Sequence, residues 1–532
     1  MGNRKSAGIV GMAVVGSRML GLVRELVFAA MFGAGKWYDA FLGAFQIPNL
    51  MRDLFAEGAL STAFTTTFTK THAKEGDQPA WALANLLFST MILVIGAICV
   101  AGIAASPMIV EITNFGFHSV PGKFELTVEL TRIMFPFILF VSLAAVVMGV
   151  LNARFVFGLP ASASTAFNFV SIVFGVGLAL LFEPQADWRH PVFGQKALYG
   201  VTIGVLLGGV TQLAIQMPSL WRLGFRFHWR INFKDEKLRQ VWRLMWPSVI
   251  AGAAVQVNVM VNGMFASEID GARSWLNYAF RLMQFPIGVF GVAIATVTLP
   301  AVARHHARAD LAAFGHTVEE SLRLAFFLTI PAAVGLAVLA PRIIGVIYQR
   351  GNFTAQDTAL TAAALQAYVI GLAGYAAIKI LVPCFYALDK PRIPLQVSLF
   401  GIAVNVGCNF MLVKWFGMGH VGLAFSTAIL ATVNFLQLVV YLRKHIVFGS
   451  ASRWAGYLGR VLCAAGLMGV ASWYAADAAA GSAPGFSGRL ASLVAGLAAG
   501  VAVYGVATVI FRIPETTAAM NMVRRKFKYG QG

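Results

Sequence analysis

The chain has 532 residues, of which 58% are hydrophobic and 12% are charged, and its mean hydropathy is +0.74. Soluble globular domains carry about 25% charged residues, so this composition excludes a water-soluble fold and favours a protein that is dissolved in a bilayer. The net charge of +19, from 41 Lys and Arg against 22 Asp and Glu, then indicates basic cytoplasmic loops rather than a nucleic-acid partner.

The first apolar run follows Arg4 and Lys5 and is longer than a signal peptide. It has no small-residue cleavage site followed by a soluble domain, so we predict a first spanning helix. The cysteines lie inside apolar runs, and their spacings fit neither a zinc site nor a disulfide framework. We therefore predict buried free thiols, no metal and no cofactor. The four cysteines are Cys99, Cys384, Cys408 and Cys463.

A membrane-spanning helix needs about 20 mostly apolar residues. By that measure the chain contains about fourteen spanning segments, joined by short loops that leave no room for an extramembrane catalytic domain. We therefore predict an all-α polytopic membrane protein. The segments are centred roughly on residues 20, 55, 93, 138, 172, 207, 255, 287, 330, 372, 404, 430, 467 and 500.

Basic residues concentrate in alternate loops, which orients the chain in the membrane. The even-numbered loops are rich in Lys and Arg, whereas the odd-numbered loops are poorer in cations and carry carboxylates such as Glu111, Glu125 and Asp270. Because cytoplasmic loops carry the excess of cations, we predict that both termini are cytoplasmic. The even-numbered loops and the tail include Lys70, Lys74, Arg154, Arg222, Arg226, Arg230, Lys234, Arg304, Arg308, Lys390, Arg443, Arg524 and Lys528.

A weak internal repeat relates the two halves of the chain. Residues 44–46 (Ala-Phe-Gln) align with residues 279–281 (Ala-Phe-Arg), and residues 151–160 match residues 385–394 at nearly the same offset of about 235 positions. This pattern predicts two six-helix lobes in parallel repeat, with boundaries at 1–220 and 221–450. The last two helices and the basic tail, 451–532, would be an addition. Repeats of this kind are typical of transporters that bind substrate between the lobes.

Several charged residues fall inside predicted spanning helices. Each would cost about 2.5–3.5 kcal/mol at the centre of the bilayer, so these side chains must face a watery cavity or pair with one another. Internal salt bridges, such as Arg24 with Asp39 or Arg52 with Glu57, remain open as an alternative. The intramembrane charges are Arg18, Arg24 and Glu25; Asp39, Arg52, Asp53 and Glu57; Arg281; and Lys379.

Arginine dominates this set, and it comes from both predicted lobes. A guanidinium group stays charged and grips phosphate oxygens bidentately, whereas a proton relay would favour Asp, Glu and His. The pattern therefore indicates one shared anionic ligand. Pro48 within helix 2 and the glycines at 33 and 35 release backbone groups that a cavity would tolerate; an ordinary packing kink is an equal alternative for Pro48.

One block of sequence resembles the MurJ/MviN family, the lipid II flippases of the multidrug/oligosaccharidyl-lipid/polysaccharide exporter superfamily. The resemblance covers essentially the whole chain. It rests on the block Ser17–Glu25, on Phe32–Gly35, Asp39–Phe41 and Pro48–Ala59, and further on Ser274 with Trp275, Tyr278–Pro286, Leu299 with Pro300, and Lys379 with Pro383.

The resemblance implies a transporter of the bacterial inner membrane. Its cargo would be lipid II, the undecaprenyl-pyrophosphate-linked peptidoglycan precursor, carried from the cytoplasmic to the periplasmic leaflet by alternating access. Membrane lipids and the cell-wall synthesis machinery are the other partners that it implies. The family's substrate-binding positions fall on Arg18, Arg24, Arg52, Arg281, Asp39, Glu57, Ser274 and Lys379, and two positions depart from its pattern, Gln46 and Gln284.

Other functions fit the residues less well. A flippase for another polyprenyl-linked sugar, such as an O-antigen unit, shares the need to hold pyrophosphate, and only the helix 1–2 block favours lipid II over it. A drug exporter would repel cationic drugs with the same arginines. A membrane-embedded glycosyltransferase or phosphatase would need a catalytic acid or His cluster with a metal, and a scaffold would leave the intramembrane charges without a purpose.

Overall fold

A computed structural model describes residues 2–55, 59–185, 193–481 and 483–517 of the chain. Across these ranges the chain is helical and forms no β-strand. The helices are α1 Gly2–Phe32, α2 Lys36–Phe55, α3 Ala59–Glu75, α4 Asp77–Ala104, α5 Ser106–Thr113, α6 Lys123–Met134, α7 Pro136–Ala153, α8 Gly158–Phe182, α9 Gln195–Ala214, α10 Met217–Arg222, α11 Glu236–Ser267, α12 Ala272–Pro286, α13 Ala293–Ala307, α14 Leu311–Ile347, α15 Ala355–Tyr368, α16 Leu372–Ala387, α17 Arg392–Asn409, α18 Gly419–Leu442, α19 Ala451–Ala478 and α20 Gly485–Ile510.

Eleven helical segments in the described part of the chain are long and apolar enough to cross a bilayer, and some of them join two consecutive helices. The predicted segments centred near residues 20, 55 and 255 are not among the eleven. They coincide with α1, with α2 and α3, and with α11; α1 and α11 have sufficient length, 31 and 32 residues, but are more polar. The polytopic helical fold is therefore confirmed, and the count of fourteen stays a prediction.

The first two helices meet at the glycine turn that the sequence predicts. The helix α1 ends at Phe32 because Gly33 adopts a left-handed φ of 66°, and α2 begins at Lys36. The second helix then continues through Pro48 to Phe55. Because α2 begins at Lys36, Asp39 lies in the first turn of this helix.

The chain divides by its internal contacts into two compact units. The first unit comprises Met1–Ser274 and Arg350–Thr354, and the second comprises Trp275–Gln349 and Ala355–Gly532. These units describe packing, whereas the lobes 1–220, 221–450 and 451–532 describe the sequence repeat and stay a prediction. Each unit has an apolar core of its own, around Phe68 and Phe88 in the first and around Phe326 and Phe385 in the second.

Glycine spacing on α9 allows close helix packing. A Cβ atom at Gly200 would lie 2.4 Å from the backbone of Ala179, and one at Gly204 would lie 2.4 Å from Gly175. These contacts leave no space for larger residues between α8 and α9. The glycines therefore serve packing.

The four cysteines are free thiols, but they are not equally buried. Cys99 and Cys384 are buried, Cys408 is partly buried, and Cys463 is exposed on α19. The prediction of burial is wrong for Cys463, because a membrane helix presents apolar residues to lipid as well as to the protein core.

Candidate functional site

The carboxylate of Asp39 is fully buried in the first unit and accepts four hydrogen bonds. Its Oδ1 accepts from the backbone N of Ser274 at 2.9 Å and from the Ser274 Oγ at 2.6 Å. Its Oδ2 accepts from Lys123 Nζ at 3.0 Å and from the backbone N of Gly271 at 2.8 Å. Asp39 thereby binds the start of α12 and the start of α6 to α2.

The ammonium group of Lys123 is as deeply buried as its partner. The exposed fraction of its side chain is 1%, against 0% for Asp39, and a second carboxylate, Asp270, lies 2.7 Å from the same Nζ. The Nζ also lies 4.3 Å from the centroid of the Phe117 ring. Lys123 is therefore a structural cation, held by two acids and one aromatic face.

The guanidinium group of Arg273 lies over the same aromatic ring, that of Phe117. Its Cζ lies 5.4 Å from the Phe117 centroid, and its guanidinium nitrogens donate at 2.8 Å to Gln46 Oε1 and to the backbone carbonyls of Thr113 and Gly263. Gln46, where the family pattern admits a basic residue, is thus an acceptor for an arginine in this chain. We call Asp39, Phe117, Lys123, Asp270, Arg273 and Ser274 the Asp39 network.

The Asp39 network contains two cations and two carboxylates, so its formal charges cancel. Of the predicted substrate-binding residues, it brings together Asp39 and Ser274, which lie 235 positions apart in sequence. The salt bridge proposed as an alternative, Arg24 with Asp39, is wrong because the buried partner of Asp39 is Lys123. With its hydrogen-bonding capacity used, Asp39 positions helices rather than offering a free charge.

Two glycines of the first unit, Gly116 beside Phe117 and Gly351 beside Ala30, have backbone contacts that exclude a side chain. A Cβ atom at Gly116 would lie 2.5 Å from the backbone of Ser267, and one at Gly351 would lie 2.2 Å from the carbonyl oxygen of Ala30. Next to Gly351, the backbone N of Asn352 donates to that carbonyl at 2.9 Å. Positions 116 and 351 differ by 235, the offset of the sequence repeat.

Replacing Gly116 by alanine is expected to lower the stability of the purified protein by about 1–3 kcal/mol, because a methyl group there overlaps backbone that cannot rotate away. Thermal unfolding in detergent measures the effect. Gly35→Ala is the matched control, since a Cβ atom at Gly35 meets nothing within 4 Å. Equal melting temperatures for the two variants would contradict the close approach at Gly116.

The predicted cavity arginines of α1 and α2 have different surroundings. Arg18 is exposed, whereas Arg24 is half-buried, with its Cζ 5.3 Å from the centroid of the Phe167 ring. Arg52 Nη2 lies 2.8 Å from Asp53 Oδ1, so Arg52 has an acidic neighbour in α2. Glu57, the partner of Arg52 in the alternative salt bridge, lies outside the described residues.

In the second unit, the two predicted cations are both exposed. Arg281 lies on α12 and Lys379 lies on α16, and Gln284 is exposed one turn after Arg281. Both helices belong to segments that are apolar enough to span a bilayer. A charged side chain at such a place requires water, an anion or a polar protein group beside it. The convergence of Arg18, Arg24, Arg52 and Arg281 on one ligand stays a prediction.

Sequence reasoning missed Lys123, Asp270 and Arg273. Lys123 and Asp270 looked like loop residues, because each precedes an apolar run by only a few positions. Two features of the sequence pointed to these residues. Lys123 lies in an odd-numbered loop, and such loops are otherwise poor in cations, and Arg273 directly precedes Ser274 of the family block. Neither signal indicates which partner the cation has.

The described ranges contain no group of three or more His, Cys, Asp or Glu side chains that could hold a metal ion. The charges that the structure places near α2 are paired with protein groups or with aromatic rings. Their chemistry is that of helix positioning.

Comparison with known proteins gives the family. The family model "Lipid II flippase MurJ" matches residues 28–488. The chain is 34% identical over 461 residues to "Lipid II flippase MurJ" of Burkholderia cenocepacia, covering 85% of this chain and 87% of that one. It is 33% identical over 511 residues to "Probable lipid II flippase MurJ" of Vibrio cholerae, covering 94% of each.

A solved structure shares the fold. It is described as "Lipid II flippase MurJ, inward closed conformation", and it matches with a TM-score of 0.77 and 22% identity over 94% of this chain and 98% of that one. The family members are named as flippases, which are membrane transporters rather than enzymes. The long matches in sequence, together with the shared fold, show that this chain belongs to the lipid II flippase MurJ family.

Proposed function

We propose that this chain moves lipid II, the undecaprenyl-pyrophosphate-linked peptidoglycan precursor, from the cytoplasmic to the periplasmic leaflet of the bacterial inner membrane by alternating access. The observation that carries the proposal is the exposure of Arg281 and Lys379 on segments that are otherwise apolar enough to span a bilayer. Cations in such places are stable beside a hydrated anion. Lipid II carries negative charge on its pyrophosphate, whose oxygens a guanidinium group can bind bidentately.

The residues take different parts in this proposal. Arg18, Arg24, Arg52 and Arg281 bind the pyrophosphate oxygens, and Lys379 adds a point charge for the same anion. Glu57 is assigned to this group by family resemblance alone. Asp39 and Ser274 act as positioning residues, because their mutual hydrogen bonds fix the first turn of α12, the helix that carries Arg281.

The Asp39 network fixes helix positions within the first unit, where it joins the starts of α2, α6 and α12. These helices follow odd-numbered loops, so the network lies at the periplasmic end under the predicted orientation.

The membrane potential is proposed to drive the cycle. Moving one elementary charge across the membrane is worth about 2.3 kcal/mol per 100 mV. An anionic precursor leaving a negative interior moves downhill in this field, and the unloaded cationic site is drawn back by the same field. No nucleotide is needed.

Collapsing the potential is therefore expected to stop lipid II movement even while a proton or sodium gradient persists. The experiment uses proteoliposomes that contain the purified protein and lipid II, with movement measured as exposure of lipid II to an enzyme added outside. Valinomycin with balanced potassium removes the potential selectively. Unchanged movement under those conditions would rule out the potential as the driving force.

A further inference from the structure

The segment between α10 and α11 is unusually exposed. It runs Phe225-Arg-Phe-His-Trp-Arg-Ile-Asn-Phe-Lys234, and the nine consecutive residues from Arg226 to Lys234 are all exposed. We call residues 225–234 the aromatic-basic segment. Its composition is neither that of a spanning helix nor that of an ordinary polar loop, since aromatic and cationic side chains alternate along it.

Side chains of α4 bind the backbone of this segment at every second residue. Asn85 donates from Nδ2 to the carbonyl of Arg226 at 3.0 Å and accepts at Oδ1 from the backbone N of His228 at 2.7 Å. Ser89 Oγ accepts from the backbone N of Arg230 at 3.0 Å. Backbone hydrogen bonds from every second residue to one neighbouring helix are typical of an extended segment.

An extended backbone separates the side chains into two rows. Phe227 and Trp229 fall in one row, with exposed fractions of 46% and 57%, whereas Phe233, which is 53% exposed, lies in the turn that follows. Arg226 and Arg230 fall in the other row. Only Phe225 at the beginning is buried, where its ring lies 5.4 Å from the ring of Phe88 and anchors the segment to α4.

The cations near this segment outnumber the acids. Between positions 222 and 239 there are six Lys and Arg and two carboxylates, Asp235 and Glu236. Within the part of the chain that the structure describes, Arg222, Arg226 and Arg230 form no ion pair with a carboxylate; Arg226 donates only to the carbonyls of Trp221 and Phe225. The segment therefore presents uncompensated positive charge.

The segment lies near the ends of membrane-spanning helices. Lys237, three residues after it, pairs with Glu75 at the end of α3, with 2.5 Å between Nζ and Oε2. Arg154, at the end of α7, pairs with Asp77 at the start of α4. These exposed ion pairs mark the polar boundary of the spans. At such a boundary, aromatic rings favour the lipid interface and cations favour anionic head groups.

We propose that the aromatic-basic segment binds anionic phospholipids at the membrane surface. The exposed rings of Phe227 and Trp229 would enter the bilayer just below the head groups, at the depth where the acyl chains begin. Arg226 and Arg230 would bind the phosphodiester oxygens. Charge complementarity favours an anionic lipid over a neutral one, and the row of exposed rings favours a lipid surface over a soluble acidic partner.

The test measures retained phosphatidylglycerol on the purified full-length protein by native mass spectrometry, after exchange from mixed phosphatidylcholine and phosphatidylglycerol nanodiscs into mild detergent. An arginine near an anionic surface contributes about a fivefold preference. Arg230→Gln is therefore expected to lower retained phosphatidylglycerol about fivefold, and the double variant R226Q/R230Q is expected to lower it further. Retained phosphatidylcholine should not change.

The matched control is R304Q/R308Q, which removes two exposed arginines from another basic loop without neighbouring aromatic alternation. An equal loss of phosphatidylglycerol in this control would overturn the site, because diffuse surface charge would then account for binding. Complete displacement by free glycerol phosphate would also overturn it, since a site for a soluble phosphate ester needs no lipid surface.

A second measurement tests the aromatic row. The emission of Trp229, taken as the difference between the wild-type protein and Trp229→Phe, should be quenched by phosphatidylglycerol brominated near the head-group end of its chains. Weaker quenching is expected from bromine near the chain terminus. Absence of quenching at both depths would contradict insertion of the segment, whatever the result with the arginine variants.

Discussion

Replacing Arg24 by alanine is expected to abolish lipid II export while leaving the protein inserted in the membrane. Its guanidinium is half-buried beside Phe167 and, in the proposed function, holds a pyrophosphate oxygen pair bidentately. Arg24→Lys should recover only part of the export, because an ammonium group keeps the charge but loses the two parallel hydrogen bonds. Complementation of a depleted strain, with the amount of protein in the membrane measured by immunoblot, gives the result.

Arg323→Ala is the matched control for that experiment. Arg323 is also a partly buried arginine beside an aromatic ring, with its Cζ 5.5 Å from the Trp454 centroid, but it lies outside the proposed site. We expect this variant to retain export. Full activity in Arg24→Ala would show that Arg24 only packs and pairs within the protein.

Replacing Lys123 by methionine is expected to destabilise the protein by about 3–5 kcal/mol, because it leaves the carboxylate of Asp39 buried without its cation. The double variant D39N/K123M removes both charges and should recover most of that loss. The measurement is the thermal unfolding of the four proteins in the double-mutant cycle, including Asp39→Asn.

Lys237→Met is the control for an exposed ion pair. Lys237 and Glu75 are both substantially exposed, and pairs of that kind contribute about 0–1 kcal/mol. If Lys123→Met and Lys237→Met shifted the melting temperature equally, the buried pair would not be a structural element of the fold. The cycle thus measures how much the Asp39–Lys123 pair contributes to the stability of the fold.

The sequence predicts the helical membrane fold and its family well, for physical reasons. Apolar runs of spanning length identify helices without knowledge of their partners, as with the segment Lys123–Ala153. Gly33 ends α1 because it adopts a left-handed backbone conformation, which depends on the residue itself and not on distant partners. The glycines at 200 and 204 indicate close packing because only small residues permit it. Each of these features depends on residues that are close together along the chain.

The partners of the charges are not predictable in the same way. Asp39 and Lys123 are 84 positions apart, and a single sequence gives no distance between them. Arg24, two helical turns before the end of α1, looked like an equally good partner. The helices α1 and α11 are long but more polar than the other spanning segments, so composition identifies the type of fold but not the number of spans.

The measurement that tests the central claim most directly is the location of lipid II after depletion of this protein in its own cell. The account predicts that lipid II accumulates in the cytoplasmic leaflet, that the wild-type protein restores export, and that Arg24→Ala does not. The contradictory result is lipid II that still reaches the outer face while another polyprenyl-linked sugar is stranded inside, because the transported substrate would then be that other lipid.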